Sequence, residues 1–236
     1  MGRTRCCYRR LMIYATISSP QAARTALPSS TLPTAAASAS RTPFRAPLNM
    51  PSHMPPAVLK ARDLPGPMIL HRLAFVGAVR KLDNASAYLT EDANTLYGRG
   101  AIVRSVAPYG TICCAVTAAW VWLGGEFPKT IDIVSTSHFR TLTYGRKIRV
   151  FNRNAPAEHL TSIGDLRITT PQRTACDIAL LSEEEAGDIY ANEMVCALME
   201  TYGFRPTDCL DILAANRFWQ NSPRAKQFFR IIEHCF

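Results

Sequence analysis

The stretch LRITTPQRTACDIALL, residues 166–181, passes from strand to helix within sixteen positions. Leu166, Arg167 and Ile168 read as a short β-run that breaks at Thr169-Thr170-Pro171. Thr170 is a good N-cap, because its hydroxyl can accept a bond from one of the orphan N–H groups of a first helical turn. Pro171 suits the first helical position, where its missing N–H costs nothing. Ala175, Ile178, Ala179 and Leu181 supply an apolar stripe. Arg173 and Asp177 stand four apart and so share one helix face. At that spacing an exposed ion pair contributes roughly 0.3–0.5 kcal/mol, and a structural role is expected for it.

Downstream, Ser182-Glu183-Glu184-Glu185 is a capping box, with serine at the cap and a glutamate three residues on. Its helix is expected to run to about Tyr202, where Gly203 stops it. A short helix follows Pro206, from Asp208 to Asn216, and Ser222-Pro223 opens a last helix carrying Phe228, Phe229, Ile231 and Ile232. Apolar residues persist up to Phe236, which suggests a domain with more chain to follow.

Upstream, Thr111 opens the run TICCAVTAAWVWLGG. Apolar residues lie all round it, which predicts a helix buried on most sides and ended by Gly124-Gly125. Trp120 and Trp122 are two apart and cannot share a face; both read as core or interface aromatics. Residues 69–82 are expected to form a helix on the spacing of Leu70, Leu73, Val76, Val79 and Leu82. Asn84–Tyr97 is expected to form a second, weaker one with Asn84 as cap. Gly98-Arg99-Gly100 reads as a loop and Ile102-Val103 as a short strand.

Between the tryptophan helix and the opening stretch the period changes. Lys129–Ser135 and Arg146–Phe151 alternate as strands do, joined by a loop or hairpin connection over 137–145. Residues 155–164 then connect to Leu166, and His159 among them is isolated and reads as structural. No acid falls between Asp132 and Glu158, while Arg140, Arg146, Lys147, Arg149 and Arg153 do, with His138 nearby. Alternation sets Lys147 and Arg149 opposite Ile148 and Val150. Such a basic face can hold phosphates or an acidic partner; a solvated outer strand face is the plain alternative.

The net charge of +9 looks like that of a nucleic-acid binder until it is divided. Residues 1–62 hold nine Lys/Arg and no acid, whereas residues 63–236 hold 18 of each sign, so the excess lies in the tail. Global charge therefore says nothing of what the body binds. The tail is rich in Ala, Ser, Thr, Pro and Arg, and buries too little to offset its ordering entropy. It is expected to be disordered, or to reflect a start assigned too early, with Met50, Met54 and Met68 as later starts. Its composition also matches a transit peptide, and Arg9-Arg10 before a short apolar run faintly matches a twin-arginine signal. No stretch reaches the ~18 apolar residues of a membrane span.

Eight cysteines (Cys6, Cys7, Cys113, Cys114, Cys176, Cys196, Cys209, Cys235) form no CxxC pair and stand at no zinc-ligand spacing from histidine. A reducing, cytoplasmic setting is expected, with no metal and no cofactor. There is no GxSxG, no glycine-rich phosphate loop and no HExxH. Asp132 followed by Lys147 faintly suggests a nuclease pair, but a second strand acid is lacking. A catalytic centre is not expected.

The order of these segments resembles the AbiEi-type antitoxins of bacterial type IV toxin–antitoxin (abortive infection, phage-defence) systems, in the variant common in actinobacteria. One motif is the Ser/Thr-Ala-Ala-Trp-like run at Thr117, Ala118, Ala119 and Trp120. The other resembles Thr-x-Pro-x-Arg-Thr-x-x-Asp-hydrophobic-Ala, here Thr169, Pro171, Arg173, Thr174, Asp177, Ile178 and Ala179. The likeness covers about residues 95–232. It implies a cytoplasmic antitoxin that counteracts a nucleotidyltransferase-type toxin, and an N-terminal winged helix that binds promoter DNA to repress its own operon. Residues 69–100 do not read clearly as a winged helix. Many relatives continue into a restriction-endonuclease-like domain; the rival reading is thus a DNA-positioning module from such a protein.

The expected architecture is α+β, a small mixed β-sheet flanked by helices with a helical C-terminal part. It divides into a tail (1–62), a helical N-terminal part that is at most a degenerate winged-helix remnant (63–104), and an antitoxin-like α+β domain (105–236). The expected binding residues are Arg140, Arg146, Lys147, Arg149 and Arg153; the expected structural motif is Thr170, Pro171, Arg173, Thr174 and Asp177.

Overall fold

A computed structural model describes residues 56–66, 68–186 and 191–234. They form an α+β fold with two sheets. Strand β1 (Leu59–Lys60), helix α1 (Ile69–Phe75) and the hairpin β2 (Val79–Lys81)–β3 (Ser86–Leu89) make a small antiparallel sheet of order β1-β3-β2. Helices α2 (Thr90–Ala93) and α3 (Leu96–Val106) lead to the larger sheet. Its strands are β4 (Ile112–Cys113), β5 (Thr130–Val134), β6 (Lys147–Phe151), β7 (Leu160–Ile163) and β8 (Leu166–Thr169), in the order β6-β5-β4-β8-β7. The β5–β6 and β4–β8 pairs are parallel and the others antiparallel, so this sheet is mixed. Helix α4 (Ala115–Leu123) lies between β4 and β5, and α5 (Pro171–Ala179) follows β8. The C-terminal part is helical: α6 (Glu183–Ala186), α7 (Ala191–Tyr202), α8 (Pro206–Ala215) and α9 (Ser222–Glu233).

Helix α4 is the spine, buried on nearly every side as its all-round apolar sequence predicts. Its two tryptophans point to different regions. Trp120 packs edge-on against Phe127 and Tyr88, with centroids 4.7 and 5.8 Å away, and so faces the N-terminal unit. Trp122 packs on Tyr202, 5.3 Å away, and its indole N–H donates to the Thr169 carbonyl at 3.1 Å, toward the C-terminal helices. The end of α4 is closed from outside. The Arg99 guanidinium donates to the carbonyls of Val121 (2.7 Å) and Trp122 (3.3 Å), and the Tyr202 hydroxyl to Trp122 as well (2.9 Å). These cover carbonyls that a helix C-terminus leaves unpaired.

Several expectations fail, each for a local reason. The 69–82 helix stops at Phe75, because Gly77 (φ 76°) turns the chain into β2. Its three-residue apolar spacing belongs to a helix and a strand sharing one small core of Leu70, Val79 and Ala87. Asn84 lies in the hairpin turn, where the Ala85 N–H donates to the Asp83 carboxylate at 2.8 Å, and not at a helix start. Gly98-Arg99-Gly100 and Ile102-Val103 are neither loop nor strand; all lie in α3. The glycines are there for space: a Cβ at Gly100 would meet the Ile163 side chain at 2.8 Å, and one at Gly98 the Asp92 carbonyl at 2.1 Å. The helix expected from Thr111 starts at Ala115, after β4. The link from β5 to β6 is no hairpin, since these strands run parallel. The segment 155–164 holds the strand β7.

The expected 63–104 helical part therefore also holds the β2–β3 hairpin. The tail expected for 1–62 lies outside the described residues up to position 55. Its last residues belong to the fold: Val58 is buried in the main core and Leu59 pairs with Ala87. Phe236 also lies outside the described residues. No described helix is long and apolar enough to cross a membrane. Other local readings hold. Ser182 and Glu185 exchange both capping-box bonds, at 2.8 and 3.2 Å. Gly124 (φ 82°) and Gly203 (φ 66°) end α4 and α7.

Candidate functional site

The motif at the end of β8 assembles as one buried unit. The Thr170 hydroxyl accepts from the Arg173 N–H at 3.4 Å, and Pro171 occupies the first turn of α5. The Thr174 hydroxyl lies 2.8 Å from that of Thr169. Arg173 and Asp177 are not the exposed pair the spacing suggests: they are 0% and 1% exposed. Arg173 Nε donates to Asp177 Oδ1 at 3.1 Å, one Nη donates to the Asn154 carbonyl at 3.0 Å, and the guanidinium lies 4.2 Å over the Trp219 ring. Arg173 Nη2 and Asp177 Oδ2 have no partner among the described residues. The cluster thus joins α5, the segment after β6 and the α8–α9 turn.

A second buried carboxylate, Asp132 on β5, faces Arg149 across the parallel β5–β6 register. Arg149 grips both its oxygens at 2.8 Å, the two-pronged geometry to which guanidinium is suited. Asp132 also accepts from the Val116 N–H (3.1 Å) and the Thr130 hydroxyl (3.2 Å). It thereby caps α4 from a neighbouring strand, in place of Cys114 at the N-cap, which makes no side-chain cap bond. The Thr117 hydroxyl accepts from the Asp132 N–H at 2.8 Å, which gives the Thr-Ala-Ala-Trp run its polar position. Burial pushes the Asp132 carboxyl up, against the Arg149, Val116 and Thr130 bonds. Burial also opposes the Arg149 charge, but its bonds to Asp132 outweigh this and raise it.

Of the five residues expected to bind a polyanion, three are turned inward. Arg149 is held by Asp132 and by the Glu185 carbonyl, 2.5 Å away. Arg153 donates to Asp177 Oδ1 at 3.2 Å and lies over the Phe151 ring. Arg146 donates to the carbonyls of Pro128 (2.9 Å), Tyr144 (3.0 Å) and Leu82, and lies over Phe127. Arg146 thus ties the hairpin of the N-terminal unit to the body. Only Arg140 and Lys147 are exposed. As a binding face this stretch is largely closed.

The remaining chemistry is quiet. Burial pushes the Cys113 thiol up to about 12 and those of Cys114 and Cys176 well above their usual value, so none is a thiolate near neutrality. Burial, with Arg173 nearby, lowers His159. Among the described residues no group of three His, Cys, Asp or Glu could hold a metal ion.

An exposed basic surface does occur on the N-terminal unit. Residues 56–90 carry Lys60, Arg62, Arg72, Arg80 and Lys81 against Asp63 and Asp83. His71, Arg72 and Phe75 lie on the outer side of α1, and Lys81 on β2 is exposed. Arg80 is partly engaged, donating to the Gly125 carbonyl at 3.1 Å. The sequence reading missed this surface because it counted Lys60 and Arg62 with the tail and read β2 and β3 as helix. The signal available was Asp83-Asn84, a pair of turn-favouring residues. Compared with known proteins, the chain matches no family model and no curated protein.

Proposed function

We propose that this chain is an antitoxin-like regulator that binds promoter DNA of its own operon through the N-terminal unit and counteracts a nucleotidyltransferase-type toxin. The carrying observation is the N-terminal unit. From β1 onward its order is strand, one 3-10 turn at Ala61–Asp63, helix α1 and hairpin, with β3 between β1 and β2. A winged helix has the same strand pairing, with two helices where this unit has a 3-10 turn and α1, and this unit is net basic with α1 outermost. The resemblance of the Thr-Pro-Arg-Thr-Asp and Thr-Ala-Ala-Trp motifs supports the antitoxin half of the reading. Both motifs are buried here, so they support the scaffold and not the contact.

The test is a titration of the full chain against its upstream duplex, beside the double variant Arg72→Ala, Lys81→Ala. The variant is expected to weaken binding and to flatten the salt slope by about two units, one for each lost phosphate contact. In parallel, co-expression with the neighbouring toxin gene should restore growth. Unchanged duplex affinity in the double variant would refute the DNA contact, and failure of rescue would refute the antitoxin role.

A further inference from the structure

A second acid-free stretch lies between Asp211 and Glu233 and carries Arg217, Arg224, Lys226 and Arg230. Its arginines behave unlike Arg146, Arg149 and Arg153. Arg217, Arg224 and Arg230 are exposed and Lys226 is half-buried. None of the four has an ion pair or a hydrogen bond to another side chain or carbonyl among the described residues. Helix α9 turns Ala225, Phe229 and Ile232 into the core, so Arg224, Arg230, Gln227 and Ile231 form its outer side. In the turn before α9, Phe218 is 87% exposed, with the Arg217 guanidinium 4.7 Å over its ring.

We infer that this surface binds a single-stranded nucleic acid segment, with Arg217, Arg224, Lys226 and Arg230 on the phosphates and Phe218 under an unpaired base. Soluble surfaces usually intersperse both signs of charge, whereas residues 212–232 carry cations alone, with Glu233 at the end of α9 the nearest acid along the helix. Three of its four cations are arginine, whose planar fork matches phosphate. An exposed aromatic beside a basic track is the arrangement that single-strand binders use, because every base has a face to stack. A membrane is the poorer fit: an interfacial helix needs a free apolar face, and that of α9 is already buried in the core. This surface is separate from the N-terminal unit, so the two contacts can fail independently.

The experiment measures the full chain by fluorescence anisotropy across a salt series. The probes are a mixed-sequence single-stranded DNA oligonucleotide, the matching duplex, and vesicles of anionic or zwitterionic phospholipid. The quadruple variant Arg217→Ala, Arg224→Ala, Lys226→Ala, Arg230→Ala should bind the single strand at least about tenfold more weakly. Its salt slope should be shallower by roughly three units, at about 0.7 for each phosphate contact. Phe218→Ala should weaken the same binding about fivefold and leave the slope unchanged. All seven residues altered across these and the Arg72→Ala, Lys81→Ala variant are exposed or half-buried, and thermal melts of each check that it folds. Three results would overturn the inference: unchanged single-strand affinity, a loss confined to anionic vesicles, or a loss no larger on the single strand than on the duplex. If Arg72→Ala, Lys81→Ala alone alters duplex binding, the promoter contact stands whatever this surface does.

Discussion

Two stretches of this chain, 133–157 and 212–232, are alike in sequence: basic, aromatic and free of acids. In the fold they are opposites. Three of the first's four arginines, Arg146, Arg149 and Arg153, are held by carboxylates just outside or far beyond the run, Asp132 and Asp177, and by backbone carbonyls. The cations of the second meet solvent. The difference teaches that a charge run does not say which way its charges face. A buried carboxylate on a neighbouring strand or helix decides that, and sequence distance conceals it.

The contrast can be broken most forcefully at Arg149. Removing it leaves Asp132, which is 0% exposed, without its counter-ion. Breaking a buried pair from one side costs about 3–5 kcal/mol, so Arg149→Leu should be strongly destabilised in denaturant titration near neutral pH. That deficit should shrink in acid. Burial already pushes the Asp132 carboxyl up, and without Arg149 its folded value rises further above the unfolded one. The variant's folded state then takes up a proton first, so its stability recovers as pH falls through that raised value. A deficit that is constant from neutral pH down to about 5 would place the loss elsewhere.

A somewhat smaller effect is expected at Arg146, whose removal frees the carbonyls of Leu82, Pro128 and Tyr144. Arg146→Ala should lose about 2–3 kcal/mol and raise amide exchange in the hairpin of the N-terminal unit more than in α5. Arg153→Ala should cost less, about 1–2 kcal/mol, because Arg173 still holds Asp177. At the small end, Arg140→Ala and Arg224→Ala should each change stability by no more than about 0.5 kcal/mol. An Arg224→Ala variant that melted like Arg153→Ala would erase the contrast.

The stretch 166–181 was the most legible part of the chain, because strand, cap, proline and helix signals agree within it. The all-round apolar α4 and the Ser182–Glu185 box were legible for the same reason. The N-terminal unit was not. Its strands are two to four residues long, too short to show alternation, and its apolar residues sit at threes by coincidence of a helix and a hairpin. Gly98 and Gly100 suggested a loop, yet both are needed inside α3 for close approach. Arg173 and Asp177 were legible as neighbours. That they are buried was not, because the groups that cover them, Asn154 and Trp219, come from distant segments. The α9 surface was legible as an acid-free run and was passed over because the final helix was read for its apolar residues alone.

The most direct measurement compares two residues of one strand, Arg149 and Lys147, by thermal unfolding of Arg149→Leu and Lys147→Leu side by side with a single-strand titration of each. If β6 holds a structural arginine and a solvated lysine, Arg149→Leu should lower Tm by about 10 °C, at roughly 2–4 °C for each kcal/mol lost. Lys147→Leu should lower it by less than about 2 °C, and neither should alter nucleic-acid affinity beyond its effect on folding. Equal, small shifts in Tm together with a shared loss of nucleic-acid binding would contradict the account and return these residues to a binding face.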